Sequence, residues 1–389
     1  MRRCQRRLGS AHRSTVLRPP PRRAWNREGG AAVLSDSMLI RALVLVLAAG
    51  LAGCGAGERA TSGDRGPTCP PGAEPPRGTT VTLFHETHTH GELMGAAGRP
   101  GVRTFDRYVG LRNALRACLK PASSLFLGNG DDLSGALAGV ATDGRHTIDA
   151  FNAAGVDADT FGFSEFTVRG ETPDRFEASL ARLRELVAAS RFPWVSANVR
   201  EIDDPHKVLA ATHGARRWIV KDVGGVRIGI TGLLGRFTDG WSCGPAARQS
   251  PPATCRVGPP PGGDGHVRVL EPARAIREVL PQMRAAGAQL VVLLSHMIHE
   301  DTVRLVRRVG GIDVALGTHL GPPLPQPLRI GRSIVAIAGP ADMQALGQLD
   351  LTIRNGRIVD HAFTRHIPSP SGPTDQRVRA ALAKYERPQ

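Results

Sequence analysis

The chain has 389 residues, a formal net charge of +15 and only 4% aromatic residues, which is length enough for one large or two ordinary domains with a buried core. Residues 1–37 carry nine Arg against one Glu and one Asp and so supply +7 of the +15, and no dense Lys/Arg run with interleaved aromatics follows them. That pattern excludes a nucleic-acid-binding footprint as the main function, while a moderately basic surface still attracts anionic small molecules or lipid headgroups.

Residues 1–37 match no targeting device and read as an upstream extension, with Met38 as the start. Met38-Leu39-Ile40-Arg41 is a short charged beginning, and residues 42–50 form an apolar stretch too short to span a bilayer. Leu51-Ala52-Gly53-Cys54 then supplies small residues ending in Cys. Residues 38–53 therefore resemble a bacterial lipoprotein signal peptide. The resemblance implies Cys54 as the lipidated first residue of a protein anchored in the cell envelope, facing the periplasm or the surface. Residues 54–79 are rich in Gly, Pro, Ser and Thr and read as a flexible tether. Beyond Cys54 the chain has Cys69, Cys118, Cys243 and Cys255, and an even count in an oxidising compartment suits disulfides. Of the three pairings, Cys243–Cys255 is favoured because it staples a Pro- and Gly-rich loop, a closure worth on the order of 3 kcal/mol.

The folded part begins with a short strand at 81–84 and a helix at 105–118. A buried strand at 124–127 and a helix at 147–154 follow, then a strand at 159–161. Thr172-Pro173 opens the next helix with Pro at its first position, and Phe176, Leu180, Leu183 and Val187 form one stripe on it. Residues 194–199 read as a strand, and 218–223 with 226–234 as a hairpin around Gly224-Gly225. A helix at 271–286 holds Ile276, Val279, Leu280 and Met283 on one side, with Pro281 as a kink. A strand at 289–294, a helix at 301–309 and a strand at 312–316 come next. Asn355-Gly356 turns a hairpin between 349–353 and 357–363, and a polar helix at 374–386 ends the pattern. This is an α/β alternation with twice-buried strands and added hairpins, with polar residues clustered just past the strand ends.

Five such clusters carry histidines and acids. They are Phe84-His85-Glu86-Thr87-His88-Thr89-His90-Gly91, Leu127-Gly128-Asn129-Gly130-Asp131-Asp132, Gly162-Phe163-Ser164-Glu165-Phe166, Leu294-Ser295-His296 and Gly317-Thr318-His319-Leu320-Gly321. Hydrolysing a phosphate ester needs an activated water and charge stabilisation on the phosphoryl oxygens. Two divalent metals about 4 Å apart supply both, given a bridging carboxylate and several His, Asp or Asn ligands.

Residues 80–365 resemble the N-terminal domain of the 5'-nucleotidase branch of the calcineurin-like metallophosphoesterases. The likeness extends to Phe151-Asn152-Ala153-Ala154-Gly155-Val156-Asp157-Ala158, Phe192-Pro193-Trp194-Val195-Ser196-Ala197-Asn198-Val199, Val226-Arg227-Ile228-Gly229-Ile230-Thr231-Gly232-Leu233 and Leu293-Leu294-Ser295-His296. It implies an α/β fold, a four-layer α-β-β-α sandwich with two mixed sheets. It implies His88, His90, Asp131, His296 and His319 as ligands of one or two divalent transition metals (Mn, Zn or Fe), with a small phosphate ester or nucleotide as partner. It assigns Glu165 to holding other groups in place. Residues 366–389 are expected to be a tail or helix, with no nucleoside-binding second domain.

Several positions depart from the pattern. His88 stands where the family has Asp, a change of metal preference more than of binding. Phe163 replaces a ligating Asn, Ser164 occupies the family's catalytic His position, and Gly321 replaces a second His. Losing an acid/base group costs roughly 10²–10⁴ in rate. Ser164 lacks the surroundings of a nucleophile, since no Gly-x-Ser-x-Gly elbow accompanies it. His85 and Glu86 read as strand or surface residues, His299 and Glu300 as a helix cap, and His361 and His366 as surface residues. The expectation is an exported phosphoesterase with altered ligands and weak or changed activity. The alternative is a non-catalytic lipoprotein that keeps the fold as a metal- or ligand-binding module.

Overall fold

Alternation of apolar side chains along the strands decides how the layers stack. In the computed structural model, residues 69–386 are described except 87, 96–103, 121–122, 135–140, 170–174, 236–253, 258–266, 318, 320–322 and 340–341. The signal segment, Cys54, most of the tether, the Thr172-Pro173 helix start and the Cys243–Cys255 pairing lie outside the described residues.

Strand β1 (Val81–His85) pairs in parallel with β2 (Ser124–Leu127). Three further strands follow in the chain: β3 (Val199–Glu201), β4 (Trp218–Val223) and β5 (Val226–Leu234). Next come β6 (Thr254–Val257), β7 (Val267–Leu270), β8 (Leu290–His296) and β9 (Val314–Leu316). The last four are β10 (Leu328–Ile330), β11 (Ser333–Ala336), β12 (Leu346–Arg354) and β13 (Arg357–His366). One sheet has the order β13-β12-β1-β2 and the second β10-β11-β9-β8-β5-β4. Both are mixed: β5, β8, β9 and β11 run parallel in the second, while β4 and β10 are antiparallel edges. A small antiparallel sheet, β3-β7-β6, adds to the two that the sequence suggests.

Leu83, Leu125, Ile228, Ile230, Val292 and Leu294 meet between the two large sheets. Their strand neighbours face outward, as a two-residue period requires. Phe84 and Phe126 pack with α1 (Phe105–Arg116), α2 (Arg145–Ala154) and α3 (Phe176–Ala189). Val291 and Leu293 pack with α4 (Pro272–Ala285) and α5 (His299–Val309). The result is the four-layer α-β-β-α sandwich. Helix α4 starts with Pro272 after Glu271, whose carboxylate accepts from Arg274 N at 2.6 Å, and it continues through Pro281. Helix α5 begins at His299, so His299 and Glu300 form its first turn and Ile298 is the capping residue. Helix α6 (Gln376–Ala383) buries Val378 and Leu382 in the first core. Asp375 caps it, Oδ1 accepting from Arg377 N and Val378 N. No described helix is long and apolar enough to cross a membrane.

Two expected strands are shorter than the sequence suggests. Residues 158–159 and 194–195 make only isolated bridges, Leu127 with Ala158, Asp159 with Trp194 and Val195 with Arg216. The ladder stops because Asp159 Oδ1 accepts from Thr160 N at 2.7 Å and Gly130 N at 3.1 Å, turning the chain toward the site. The Asn355-Gly356 hairpin forms with φ of 52° and 67°, the left-handed pair such a turn demands. A disulfide joins Cys69 to Cys118.

Candidate metal centre

The parallel strands β1 and β2, and β5, β8 and β9, end on the same edge of the sandwich, so the polar segments after them converge. Asp131 follows β2 on a turn with φ of 74° at Gly130 and 62° at Asp131. Only glycine fits at 130: a Cβ there would lie 2.6 Å from Gly162 N and 2.8 Å from the Phe161 carbonyl carbon. The 130 and 162 loops thus touch backbone to backbone. Glu165, fully buried, clamps them. Its carboxylate accepts from Gly162 N at 2.6 Å, Asp132 N at 2.8 Å, Asp131 N at 2.9 Å and Leu133 N at 3.3 Å.

Asp131 is thereby aimed. Its Oδ1 accepts from Ser164 N at 2.7 Å. Its Oδ2 lies 3.2 Å from His296 Nε2, 3.3 Å from His319 Nε2 and 4.0 Å from His90 Nε2. His296 Nδ1 sits 2.8 Å from the Asn129 carbonyl, an acceptor, and so carries a proton, which leaves Nε2 to face Asp131. His90 Nδ1 is 2.9 Å from Asp342 Oδ1. The His88 ring packs among the other three, edge-on to His90 at 4.7 Å and to His296 at 5.8 Å, and tilted against His319 at 5.8 Å. All five residues named from the sequence, His88, His90, Asp131, His296 and His319, therefore share one locus.

The charges are mutually supporting. Burial pushes Asp131 upward, but His296 and His319 outweigh it and hold the carboxyl well below its usual range. Burial lowers His296 and His90, and Asp131 in the first case and Asp342 with Asp131 in the second reverse that to a net rise. Burial and the His296 imidazole drive His88 well down, so it stays neutral. His296 Nε2 is buried without a hydrogen bond despite its approach to Asp131, and His88 Nδ1 is likewise buried and unpartnered. Imidazole lone pairs around one ionised carboxylate oxygen are a donor set that fits a divalent transition metal.

Behind Asp131 lies a set of acids that sequence reading underrated. Glu86 is buried, not at the surface, and its Oε1 accepts from Asn129 N at 3.1 Å. His85 is buried beside it, at the end of β1. Asp132 Oδ1 accepts from Thr89 N at 2.8 Å and Thr89 Oγ1 at 2.9 Å, holding the His88–His90 turn. Asp159 is fully buried, and burial followed by the charge of Glu165 pushes it up to about 8. Periodicity missed Glu86 and Asp159 because each sits at an irregular strand end. The signal that finds Glu86 is its place directly after the apolar strand β1.

Phe163 is partly buried, its ring 5.6 Å from the His319 ring and 6.1 Å from that of His296. The Ser164 hydroxyl donates to Glu165 Oε1 at 3.4 Å, an oxygen that also accepts from Asp132 N and Leu133 N. His366, expected at the surface, is half-buried and bonded to Gln348 Oε1 at 2.9 Å.

No protein-family model matches the chain. The trifunctional nucleotide phosphoesterase protein YfkN of Bacillus subtilis is 26% identical over 257 residues, covering 61% of this chain and 16% of YfkN. A crystal structure of YfkN aligns with a TM-score of 0.55 at 18% identity, over 79% of this chain and 96% of the other. The sulfate thiohydrolase SoxB of Thermus thermophilus aligns with a TM-score of 0.63 at 19% identity, over 80% of this chain and 61% of that one. A 5'-nucleotidase precursor, also from Thermus thermophilus, aligns at 0.59 with 24% identity, over 78% of this chain and 58% of that one. This chain therefore spans 16% of the curated relative's length and about three fifths of the two Thermus proteins. The fold is that of the calcineurin-like phosphoesterases, and the similar proteins include a nucleotide phosphoesterase and a 5'-nucleotidase precursor.

Proposed function

We propose that this chain is an exported, lipid-anchored, metal-dependent phosphoesterase of the 5'-nucleotidase type, acting on a small phosphate ester or nucleotide. The observation that carries it is the convergence of ligand atoms from Asp131, His296 and His319 within 4.8 Å of one another. His88 and His90 add imidazoles to the same locus. A divalent Mn, Zn or Fe ion bound there supplies charge neutralisation for phosphoryl oxygens and lowers the pKa of water. Asp131 contributes the fixed negative charge, and its ionisation is secured by its two nearest histidines. The Asn129 carbonyl and the Asp342 carboxylate orient His296 and His90. The name of YfkN supports nucleotides as the substrate class. The Cys69–Cys118 bridge supports export, because disulfides persist in oxidising compartments, and residues 38–54 supply the anchor.

A second reading is a non-catalytic lipoprotein that uses the same centre to hold a metal or ligand. One observation favours it: Ser164, at the position the resemblance reserves for a catalytic histidine, spends its hydroxyl on Glu165. The two readings separate in one experiment. The purified chain is analysed for bound Mn, Zn or Fe and assayed on nucleotides and bis-aryl phosphates with each ion added. Turnover that vanishes in Asp131→Ala establishes the enzyme. Bound metal without turnover establishes the binding module. Neither metal nor turnover ends both.

A further inference from the structure

We infer that the centre takes a single metal ion, where its resemblance to two-metal phosphoesterases implies a pair, and that the Phe163 ring stands where a second ion's ligands would have to be. The inference rests on the metal reading above.

Three of the four imidazoles share one focus, while His88 packs against their rings with its Nδ1 buried and unpartnered. His296, His319 and His90 approach the same oxygen, Asp131 Oδ2, at 3.2, 3.3 and 4.0 Å. Asp131 Oδ1 already accepts the Ser164 N–H at 2.7 Å, which leaves Oδ2 as the oxygen open to an ion. The imidazoles have also committed one nitrogen to protein in two cases, His296 Nδ1 to the Asn129 carbonyl and His90 Nδ1 to Asp342. Each of these rings therefore has a single nitrogen left, and it faces Asp131.

A second ion needs a second set, and each neighbouring acid spends at least one oxygen on the protein, although Asp132 Oδ2 and Asp159 Oδ2 are buried without a hydrogen bond. Glu86 accepts from Asn129 N, Asp132 from Thr89, and Asp159 from Thr160 N and Gly130 N. Both oxygens of Glu165 accept backbone N–H groups. Among the described residues, Asp131 with His296 and His319 is the grouping of three or more potential ligands close enough to share an ion. On the Phe163 side the wall is an aromatic ring in edge contact with His296 and His319. A benzyl group there donates no electron pair and excludes the water that a loosely held ion keeps in its coordination sphere.

Metal content decides the matter without any assay of turnover. The full chain is loaded with Mn²⁺, freed of excess by gel filtration, and measured for Mn per chain and by electron paramagnetic resonance. One Mn per chain with the spectrum of an isolated ion is expected. Two per chain, or an exchange-coupled spectrum, overturns the inference while leaving the metal reading intact. No bound metal under Mn, Zn or Fe loading overturns both. In Phe163→Asn the count is expected to rise toward two. A folded Phe163→Asn chain that still holds one ion overturns the part assigned to this ring. The wild-type count tests the single-ion claim even if that variant does not fold.

Discussion

Asp342 Oδ1 lies 2.9 Å from His90 Nδ1, and the Asp342 backbone N–H donates to the His88 carbonyl at 2.9 Å. Two segments 252 residues apart are locked by this reciprocal contact. The carboxylate fixes which His90 nitrogen carries the proton, and the backbone bond fixes the turn that precedes it. His88, His90 and Asp342 all have positive φ, at 60°, 51° and 64°, a conformation that costs a non-glycine residue on the order of 1 kcal/mol. The contact is what holds them there.

Asp342→Ala is expected to weaken metal binding about 10-fold or more, the usual cost of removing a carboxylate that orients a ligating histidine. Calorimetric titration with Mn²⁺ or Zn²⁺ reads this directly. Affinity equal to that of the unaltered chain would mean that His90 contributes nothing to the ion.

Glu165→Ala strands four backbone N–H groups, those of Asp131, Asp132, Leu133 and Gly162, in a buried place. Each orphaned donor costs about 1–3 kcal/mol, so the loss of stability is expected to reach at least ~3 kcal/mol. Urea unfolding measures it, and a loss under ~1 kcal/mol would show that water or rearrangement satisfies the loop.

His85 makes stability depend on pH. Burial lowers it from 6.5 to about 4, and it is packed so closely that a Cβ at Gly347 would strike its ring. Between those values the unfolded chain binds the extra proton, so stability rises with pH across the window. The contribution is complete above about 6.5 and is lost as pH falls toward 4, a difference of about 3 kcal/mol. His88 and His146, also lowered chiefly by burial, act in the same direction. His85→Leu is expected to flatten the stability–pH slope between pH 6.5 and 4, and an unchanged slope would dispose of this account.

The Cys69–Cys118 bridge closes a separation of 49 residues. Loop-closure entropy for that length predicts about 4 kcal/mol of stabilisation. Cys118→Ser should lower the unfolding free energy by that order, and under reductant the wild type and Cys118→Ser should unfold with equal free energies.

With Ser164 engaged by Glu165, this position supplies no acid to protonate a leaving group. Hydrolysis is then expected to favour leaving groups that depart as stable anions. Aryl phosphates or phosphoanhydrides should exceed alkyl esters by roughly 10²–10⁴ in kcat/KM, the usual worth of the lost acid. Ser164→His should narrow that gap. A leaving-group series showing no dependence in the wild type would contradict the prediction.

Much of this protein was legible in its residues. The two-residue alternation of Leu83 with Phe84, and of Val291 and Leu293 with Val292 and Leu294, announces strands covered on both sides and hence layered sheets. Asn355-Gly356 placed the last hairpin. The acids were harder. Glu86 and Asp159 sit past regular strand geometry, and their burial depends on loops contributed from elsewhere in the chain.

The sequence alone located most strands of the two large sheets and the polar segments at their ends, because hydrophobic period and turn chemistry are local properties, but not β6, β7, β10 or β11. Only the tertiary structure decided that Asp131 turns one oxygen to three histidines and the other to Ser164. It alone decided that Asp342 reaches His90, that Cys69 meets Cys118, and that Phe163 walls the site. Each of these depends on the distance and angle between groups far apart in the chain, and those are set only when the sheets pack.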